Sequence, residues 1–346
     1  MKNPLDPLSA KEINAALEIF HKRHVGTETF FSSAGLLEPP KHLVKSGAKV
    51  PRVVKLLGVD NRQDGGFLAE VDLTSKSASI SRLPAGSQAP YSYAELGMAV
   101  MLTKQDRTWL EAIAKRGIPM ATEKDLKLIQ IDPWPAGGFV NSRIPEGHRA
   151  VKCIAFLKED ETDNGYARPV HGLIAHIDIT ERRVVDIEDN GVVPMPKESG
   201  RFDNRNQSPA RANLSDIEIT QPNGPSFKVE GYKINWQGYE FRVGMHPVNG
   251  LILHQISLQG RPILYRAALS DMVVPYGDQD PMHSWKHVLD ASEYNMGQMA
   301  NSLKLGCDCL GEIYYFNIDQ ITWDGKVKTV ENAICMHEED YGIQWK

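Results

Sequence analysis

Residues 227–268 read Phe227-Lys-Val-Glu-Gly-Tyr-Lys-Ile-Asn-Trp236, then Tyr239-Glu-Phe-Arg-Val243, Leu251-Ile-Leu-His-Gln-Ile-Ser-Leu258 and Ile263-Leu-Tyr-Arg-Ala-Ala268. Asn249-Gly250 and Gln259-Gly260 punctuate them. Short extended segments separated by tight-turn dipeptides at this spacing predict a β-sandwich. Ile313 to Phe316 and Val327 to Val330, separated by Asp324-Gly325, continue the pattern. The chain then stops at Trp345-Lys346 with no terminal element of its own, so the sandwich reads as unfinished.

Working outward toward the N-terminus, Glu198 to Ser215 is rich in Asn, Arg and Ser and reads as a linker. Before it the pattern mixes helix with strand. Ser9 is an N-cap candidate with Glu12 three residues on, and Leu8 and Ile13 are spaced as a hydrophobic staple. Ile13, Leu17 and Phe20 share one helical face. Arg52 to Leu57, Phe67 to Val71 and Ser79 to Leu83 read as strands, with turn chemistry at Asp60-Asn61 and Gly65-Gly66. The order restarts after Ala89-Pro90. Tyr93 to Leu102 and Lys104 to Lys115 have helical periodicity and Gly117-Ile118-Pro119 ends them, while Thr122-x-x-Asp125 starts one more turn. Leu126 to Ile131, His148 to Leu157 and Pro169 to Ile179 read as extended. The fold class is therefore α+β: two small α+β units at 1–90 and 91–200, a linker at 201–220, and part of an antiparallel sandwich at 221–346.

Composition bounds the function. The 346 residues are 41% hydrophobic and 24% charged, an ordinary globular balance, and mean hydropathy is -0.36. A net charge of -5 argues against a nucleic-acid binder, which concentrates basic residues. No run approaches the roughly 20 apolar residues a membrane helix needs. The first residues carry no apolar secretory core, so a cytoplasmic location is the expectation.

The densest unusual stretch is Asp290-Ala-Ser-Glu293-Tyr294-Asn-Met-Gly297, followed by Leu305-Gly-Cys307-Asp-Cys309-Leu-Gly-Glu312. Val274-Pro-Tyr276-Gly-Asp278 lies upstream and Cys335-Met-His337-Glu-Glu-Asp340 downstream. Asp290 and Glu293 read either as a catalytic carboxylate pair or as solvated turn residues. Cys307-x-Cys309 with Cys335 and His337 suggests zinc, but structural zinc motifs usually space cysteines two to four residues apart. A disulfide from Cys335 to one member of the Cys-x-Cys pair is the plainer reading, closing a loop of about 26 residues for roughly 3–4 kcal/mol. His21-x-x-His24 reads as a solvated helix face, and His171 and His176 as structural. No phosphate loop, Gly-x-Gly-x-x-Gly or Gly-x-Ser-x-Gly elbow is present.

Together these segments resemble the copper amine oxidases, the quinone-dependent primary-amine oxidases, over essentially the whole chain. Pro4-Leu-Asp-Pro-Leu-Ser9 is similar to the opening of that family's second domain and Asp132-Pro-Trp134 to its third-domain signature. Val274 to Lys346 is similar to the first part of its catalytic sandwich. The resemblance implies cystatin-like folds for the two α+β units. It implies oxidative deamination of a primary amine to an aldehyde with dioxygen as the second substrate, ammonia and hydrogen peroxide being released, using copper and topaquinone. Asp290 matches the family's proton acceptor and Tyr276 the tyrosine that hydrogen-bonds a quinone oxygen. Trp134, Val288 and Tyr294 match substrate-channel positions, although ordinary packing is an equal reading of Trp134. Val288 often stands as a larger aromatic in relatives, which implies a more open channel here. Cys309 and Cys335 match the family disulfide, leaving Cys307 free.

The chain departs from the family in what it lacks. The quinone precursor lies in an Asn-Tyr-Asp/Glu motif and two of three copper ligands form a His-x-His pair; neither occurs in these 346 residues. The chain alone is therefore expected to bind no copper, form no topaquinone and oxidise no amine. Relatives are homodimers in complete form. The alternative is a non-catalytic interaction module, or one half of a split oxidase that pairs with a separately encoded C-terminal half. An unfinished sandwich leaves open strand edges, so residues after 220 are expected to be less stable alone than residues 1–200.

Overall fold

Ser9 caps α1 (Ala10–Arg23) through the full capping box: its side chain accepts from the Glu12 amide and the Glu12 carboxylate accepts from the Ser9 amide. The apolar spacing does the rest, burying Ile13, Ala16, Leu17 and Phe20. These side chains pack on an antiparallel sheet of β1 (Thr29–Leu37), β2 (Val53–Asp60), β3 (Phe67–Asp72) and β4 (Ser77–Arg82), in that order, with the short α2 (Lys41–Lys45) after β1. The computed structural model describes residues 3–24, 28–60, 66–201, 212–215 and 218–339. The expected turn residues Asn61 and Gly65, much of the 201–220 linker, Asp340 and Trp345-Lys346 lie outside the described residues.

Sequence patterning missed β1. Residues 31–35 are buried consecutively, so the strand lacks the alternation of a half-exposed one. The His21/His24 expectation also needs correction. His24 stacks on Phe20 with ring centroids 4.7 Å apart and pairs with Asp60 at 3.0 Å, so it is packed rather than solvated.

The second unit repeats the plan. The helices α3 (Tyr93–Gln105), α4 (Arg107–Lys115) and α5 (Glu123–Lys127) precede a sheet ordered β5 (Ile129–Pro135), β6 (Ala150–Leu157), β7 (Leu173–Asp178) and β8 (Arg183–Asp189). Ser92 and Glu95 form a capping box at α3, and Asp106 caps α4. Leu126, expected as strand, sits in α5 because the Thr122 to Asp125 box starts a helical turn there. The edge strand β8 carries Arg183, Asp186, Glu188 and Asp189, a composition that hides a strand from patterning and also protects an edge. β6 and β7 are covered on both faces. One face holds Val151, Cys153, Ala155, Leu173, Ala175 and Ile177 against the helices. The other presents Ile154, Phe156 and Ile174 to Met282 and Trp285 from a later loop.

The C-terminal strands are β9 (Phe227–Glu230), β10 (Lys233–Trp236), β11 (Tyr239–His246), β12 (Gly250–Leu258) and β13 (Arg261–Ala268), paired antiparallel in sequence order. The single strand expected over 227–236 is two, because Gly231 turns the chain at φ +62°. A hairpin of β14 (Tyr314–Ile321) and β15 (Val327–Met336) packs Phe316, Ile318, Val330 and Ile334 against Phe227, Ile234 and Val243. These two antiparallel layers are the start of a sandwich.

The hairpin also serves the first unit. Ile321 and Val327 join the core under α1, and the Ala10 amide donates to Asp319 Oδ2 at 2.7 Å. Asp6 pairs with Arg242, while Glu38 pairs with His254 at 3.1 Å and Arg266 at 3.0 Å. Among the described residues no helix is long and apolar enough to cross a membrane.

Candidate active site

Trp134 leaves β5 on the face of the second sheet away from its helices, opposite Lys152 in the ladder. The loop between β13 and β14 folds across that face and places three more aromatic rings around it. Tyr276, Tyr294 and Trp285 meet Trp134 edge-on, with centroids 6.1, 6.4 and 6.5 Å away. Edge-to-face contact sets the positive ring edge against a negative face. Trp134 and Tyr294, matched by resemblance to the substrate channel, and Tyr276, matched to a quinone hydrogen bond, are thus brought together.

Two buried lysines share the cluster. Lys286 Nζ sits 4.5 Å from the Trp134 centroid and 5.4 Å from that of Tyr276, and Lys152 Nζ lies 4.7 Å from Trp285. Burial holds both ammonium groups below the ordinary lysine range, partly opposed by Asp132 and Asp280 at Lys286 and by Glu188 at Lys152. Ring quadrupoles supply part of the solvation the ammonium groups lose. Trp285, Lys286 and Lys152 were not singled out from sequence. The sole signal is a lysine inside the apolar run of β6 and a Trp-Lys pair in a stretch without periodicity.

Asp290 is fixed from its backbone. Its amide donates to the Met272 carbonyl at 2.8 Å, and Val273 bridges Leu289 antiparallel. Burial, then the charge of Asp271, raises its carboxyl above the usual aspartate range. Asp271 itself is held low despite burial, by hydrogen bonds from Ser292 and from the Met272 and Ala291 amides. Glu293 is raised by burial and by the Asp271 and Asp290 charges, and its Oε2 accepts from the Leu289 amide at 2.7 Å. Both carboxylates of this pair are half-buried with raised proton affinity, so neither is a fully solvated turn residue. The Asp290 charge also acts on Tyr294, whose phenol is kept protonated by burial and donates to the Pro133 carbonyl at 3.2 Å.

The remaining expected residues fall into place differently. Tyr276 is 46% exposed and its ring also meets His283. Val288 is 5% exposed, packed into the protein rather than facing open space. The sulfurs of Cys309 and Cys335 lie 2.8 Å apart, and Cys307 is exposed. The loop is locked to the first unit by Asn295, which adopts φ +58° and donates from Nδ2 to the Ser32 carbonyl at 3.1 Å. Sequence reading passed over Asn295.

Among the described residues, one cluster of metal-ligating side chains is close enough to hold an ion: Cys309, Cys335 and His337. Two thiols and one imidazole do not fit a copper set built on a His-x-His pair, and no Asn-Tyr dipeptide supplies a quinone precursor. The chain's own residues therefore do not provide those groups.

Two family models match the chain: "Copper amine oxidase, N3 domain" over residues 94–207 and "Copper amine oxidase, enzyme domain" over residues 228–346. The primary amine oxidase of Arthrobacter sp. (strain P1) is 40% identical over 352 residues, covering 100% of this chain and 53% of that protein. The histamine oxidase of Arthrobacter globiformis is 37% identical over 355 residues, covering 100% of this chain and 51% of that protein. A copper-containing benzylamine oxidase from Hansenula polymorpha shares the fold with a TM-score of 0.84 at 24% identity, over 99% of this chain and 56% of that one. The chain spans about half the length of the curated relatives it matches.

Proposed function

The chain belongs to the copper amine oxidase family, and on that premise we propose that it is the N-terminal part of a primary-amine oxidase. The reaction is oxidative deamination, in which a primary amine, dioxygen and water give an aldehyde, ammonia and hydrogen peroxide. The observation that carries this reading is Asp290, a half-buried carboxylate held above the usual range beside Tyr294 of the Trp134 ring cluster.

In this reading Asp290 takes the α-proton of the bound amine, and its raised proton affinity, from burial and the Asp271 charge, suits it to that role. Tyr276, exposed at the cluster's edge, is the residue that would hydrogen-bond a quinone oxygen. Trp134 and Tyr294 form an aromatic wall for the apolar part of the amine, with Val288 packed behind. Cys309 and Cys335 form a disulfide when oxidised. Copper and topaquinone belong to the remainder of a complete homodimeric enzyme. The cytoplasm is the proposed location.

The test compares two proteins for amine-dependent peroxide release and phenylhydrazine colour: the product isolated from its native source and the 346-residue chain treated with copper and oxygen. The expected result is peroxide and stoichiometric colour from the native product and neither from the chain. Amine-independent behaviour of the native product would overturn the activity. Stoichiometric colour from the chain alone would overturn its predicted inactivity.

A further inference from the structure

Asp290 sits in a turn that is tied down at both ends. Within the turn, the Leu289 amide donates to Glu293 Oε2 at 2.7 Å and the Glu293 amide donates to the Leu289 carbonyl at 2.8 Å. Toward the segment that leaves β13, the Asp290 amide donates to the Met272 carbonyl at 2.8 Å, and Val273 bridges Leu289. Asp271 closes the same joint with its side chain. Its Oδ1 accepts from the Met272 amide at 2.8 Å and from the Ala291 amide at 3.2 Å, and its carboxylate also accepts from Ser292. One carboxylate therefore holds both the residue that follows Asp290 and the residue to which Asp290 is paired.

We propose that Asp271 is the positioning residue for Asp290, fixing its turn through the Met272 and Ala291 amides and placing a negative charge beside it. The role rests on Asp290 being the group that takes the α-proton. Of two neighbouring carboxylates, the one with more hydrogen-bond donors keeps its charge and the other holds its proton more tightly. Asp271 has the donors, whereas among the described residues no donor or cation partners the Asp290 carboxyl. Accordingly Asp271 is held low, and Asp290 is raised by burial and then by the Asp271 charge.

The other groups around the turn do not offset that charge. Glu293 and Tyr294 lie on it, and Asp132 of β5 and Tyr91 before α3 act on Tyr294. Lys286 and His287, earlier on the same loop, turn instead to the Trp134 ring and the Ser284 carbonyl. The two parts of the role separate by substitution. Asp271→Asn keeps a side-chain oxygen to accept from the amides and loses the charge; Asp271→Ala loses both.

The test measures kcat and kcat/KM against pH for a primary amine in the complete native product and in its Asp271→Asn and Asp271→Ala forms, each normalised to phenylhydrazine-titratable sites. The acid limb of kcat/KM reports the free enzyme's base. In the unmutated enzyme it is expected above the ordinary aspartate value of about 3.9. Removing the Asp271 charge lowers the proton affinity of Asp290, so the limb is expected to move to lower pH in Asp271→Asn. Asp271→Ala is expected to move it the same way and to lower kcat by about 10–10²-fold, with a smaller loss in Asp271→Asn. An unmoved limb in a titratable Asp271→Asn enzyme, or undiminished kcat in Asp271→Ala, would overturn the assignment. So would a limb at or below about 3.9 in the unmutated enzyme, a measurement that needs no variant to fold. Turnover with an unmoved limb sinks the role of Asp271 alone, whereas no amine-dependent peroxide from the unmutated product sinks the oxidase reading and this role with it.

Discussion

The two α+β units are built to one plan and loaded differently. Each opens with a Ser-x-x-Glu capping box, Ser9 with Glu12 and Ser92 with Glu95. In each, the box glutamate is gripped by an arginine that stands immediately before the second strand. Arg52 reaches Glu12 at 2.8 Å and Arg149 reaches Glu95 at 2.5 Å. Both arginines also bind the carbonyls of the segment leading into the helix: Pro4, Asp6 and Pro7 for Arg52, Ala89 and Pro90 for Arg149. The repeat is thus one of devices rather than of sequence identity.

The difference lies in burial. Glu12 and Arg52 side chains keep 19% and 17% exposure, whereas Glu95 and Arg149 keep 4% and 3%. The first unit shares its core with β14 and β15 and anchors the sandwich. The second is closed on its outer face by the loop that carries Tyr276, Asp290 and Tyr294. One unit supports the layers; the other builds the candidate site.

Six substitutions separate these roles, from the largest effect to the smallest. In the complete oxidase, Asp290→Asn is expected to lower kcat by about 10²–10⁴, the worth of a positioned proton acceptor, while first-unit changes such as Ser9→Ala leave kcat in place. Steady-state peroxide assays check this. Next, Arg149→Met strands a buried carboxylate and is expected to destabilise the second unit by about 3–5 kcal/mol. The equivalent Arg52→Met, at a wetter site, costs about 1–2 kcal/mol. Amide exchange in α3 and α1 resolves the two units, and equal losses would erase the distinction.

The joint between the first unit and the sandwich is pH-dependent. Burial alone would raise the Glu38 carboxyl, but hydrogen bonds and charge from His254 and Arg266 bring it from 4.5 to about 2. A depressed carboxylate stabilises the fold above its unfolded value. That contribution, on the order of 2–3 kcal/mol, is lost as pH falls from about 4.5 toward about 2. Glu38→Gln is expected to flatten this part of the acid-unfolding profile. Smallest, Ser9→Ala and Ser92→Ala each remove a cap worth about 1 kcal/mol, read as shifts in urea midpoint.

Elements with one wet face were legible in the sequence. The period of α1 and the turn dipeptides of β11 to β13 encode their own geometry. What failed were places where another part of the chain decides the outcome. β1 is covered on successive residues and loses its alternation, and His24 finds Phe20 and Asp60 only in three dimensions. At the site, Asp290, Tyr276, Trp134 and Tyr294 came through resemblance to a family. Trp285, Lys286 and Asn295 carry no periodic signal, since their roles arise from a loop folding over a distant sheet.

The central claim is the proposal that this chain supplies the proton acceptor of an amine oxidase. The most direct measurement is kcat for a primary amine in the complete native product and in its Asp290→Asn form, each normalised to phenylhydrazine-titratable sites. A loss of at least about 10²-fold with the titre unchanged is predicted. Full turnover in Asp290→Asn at an unchanged titre would contradict it.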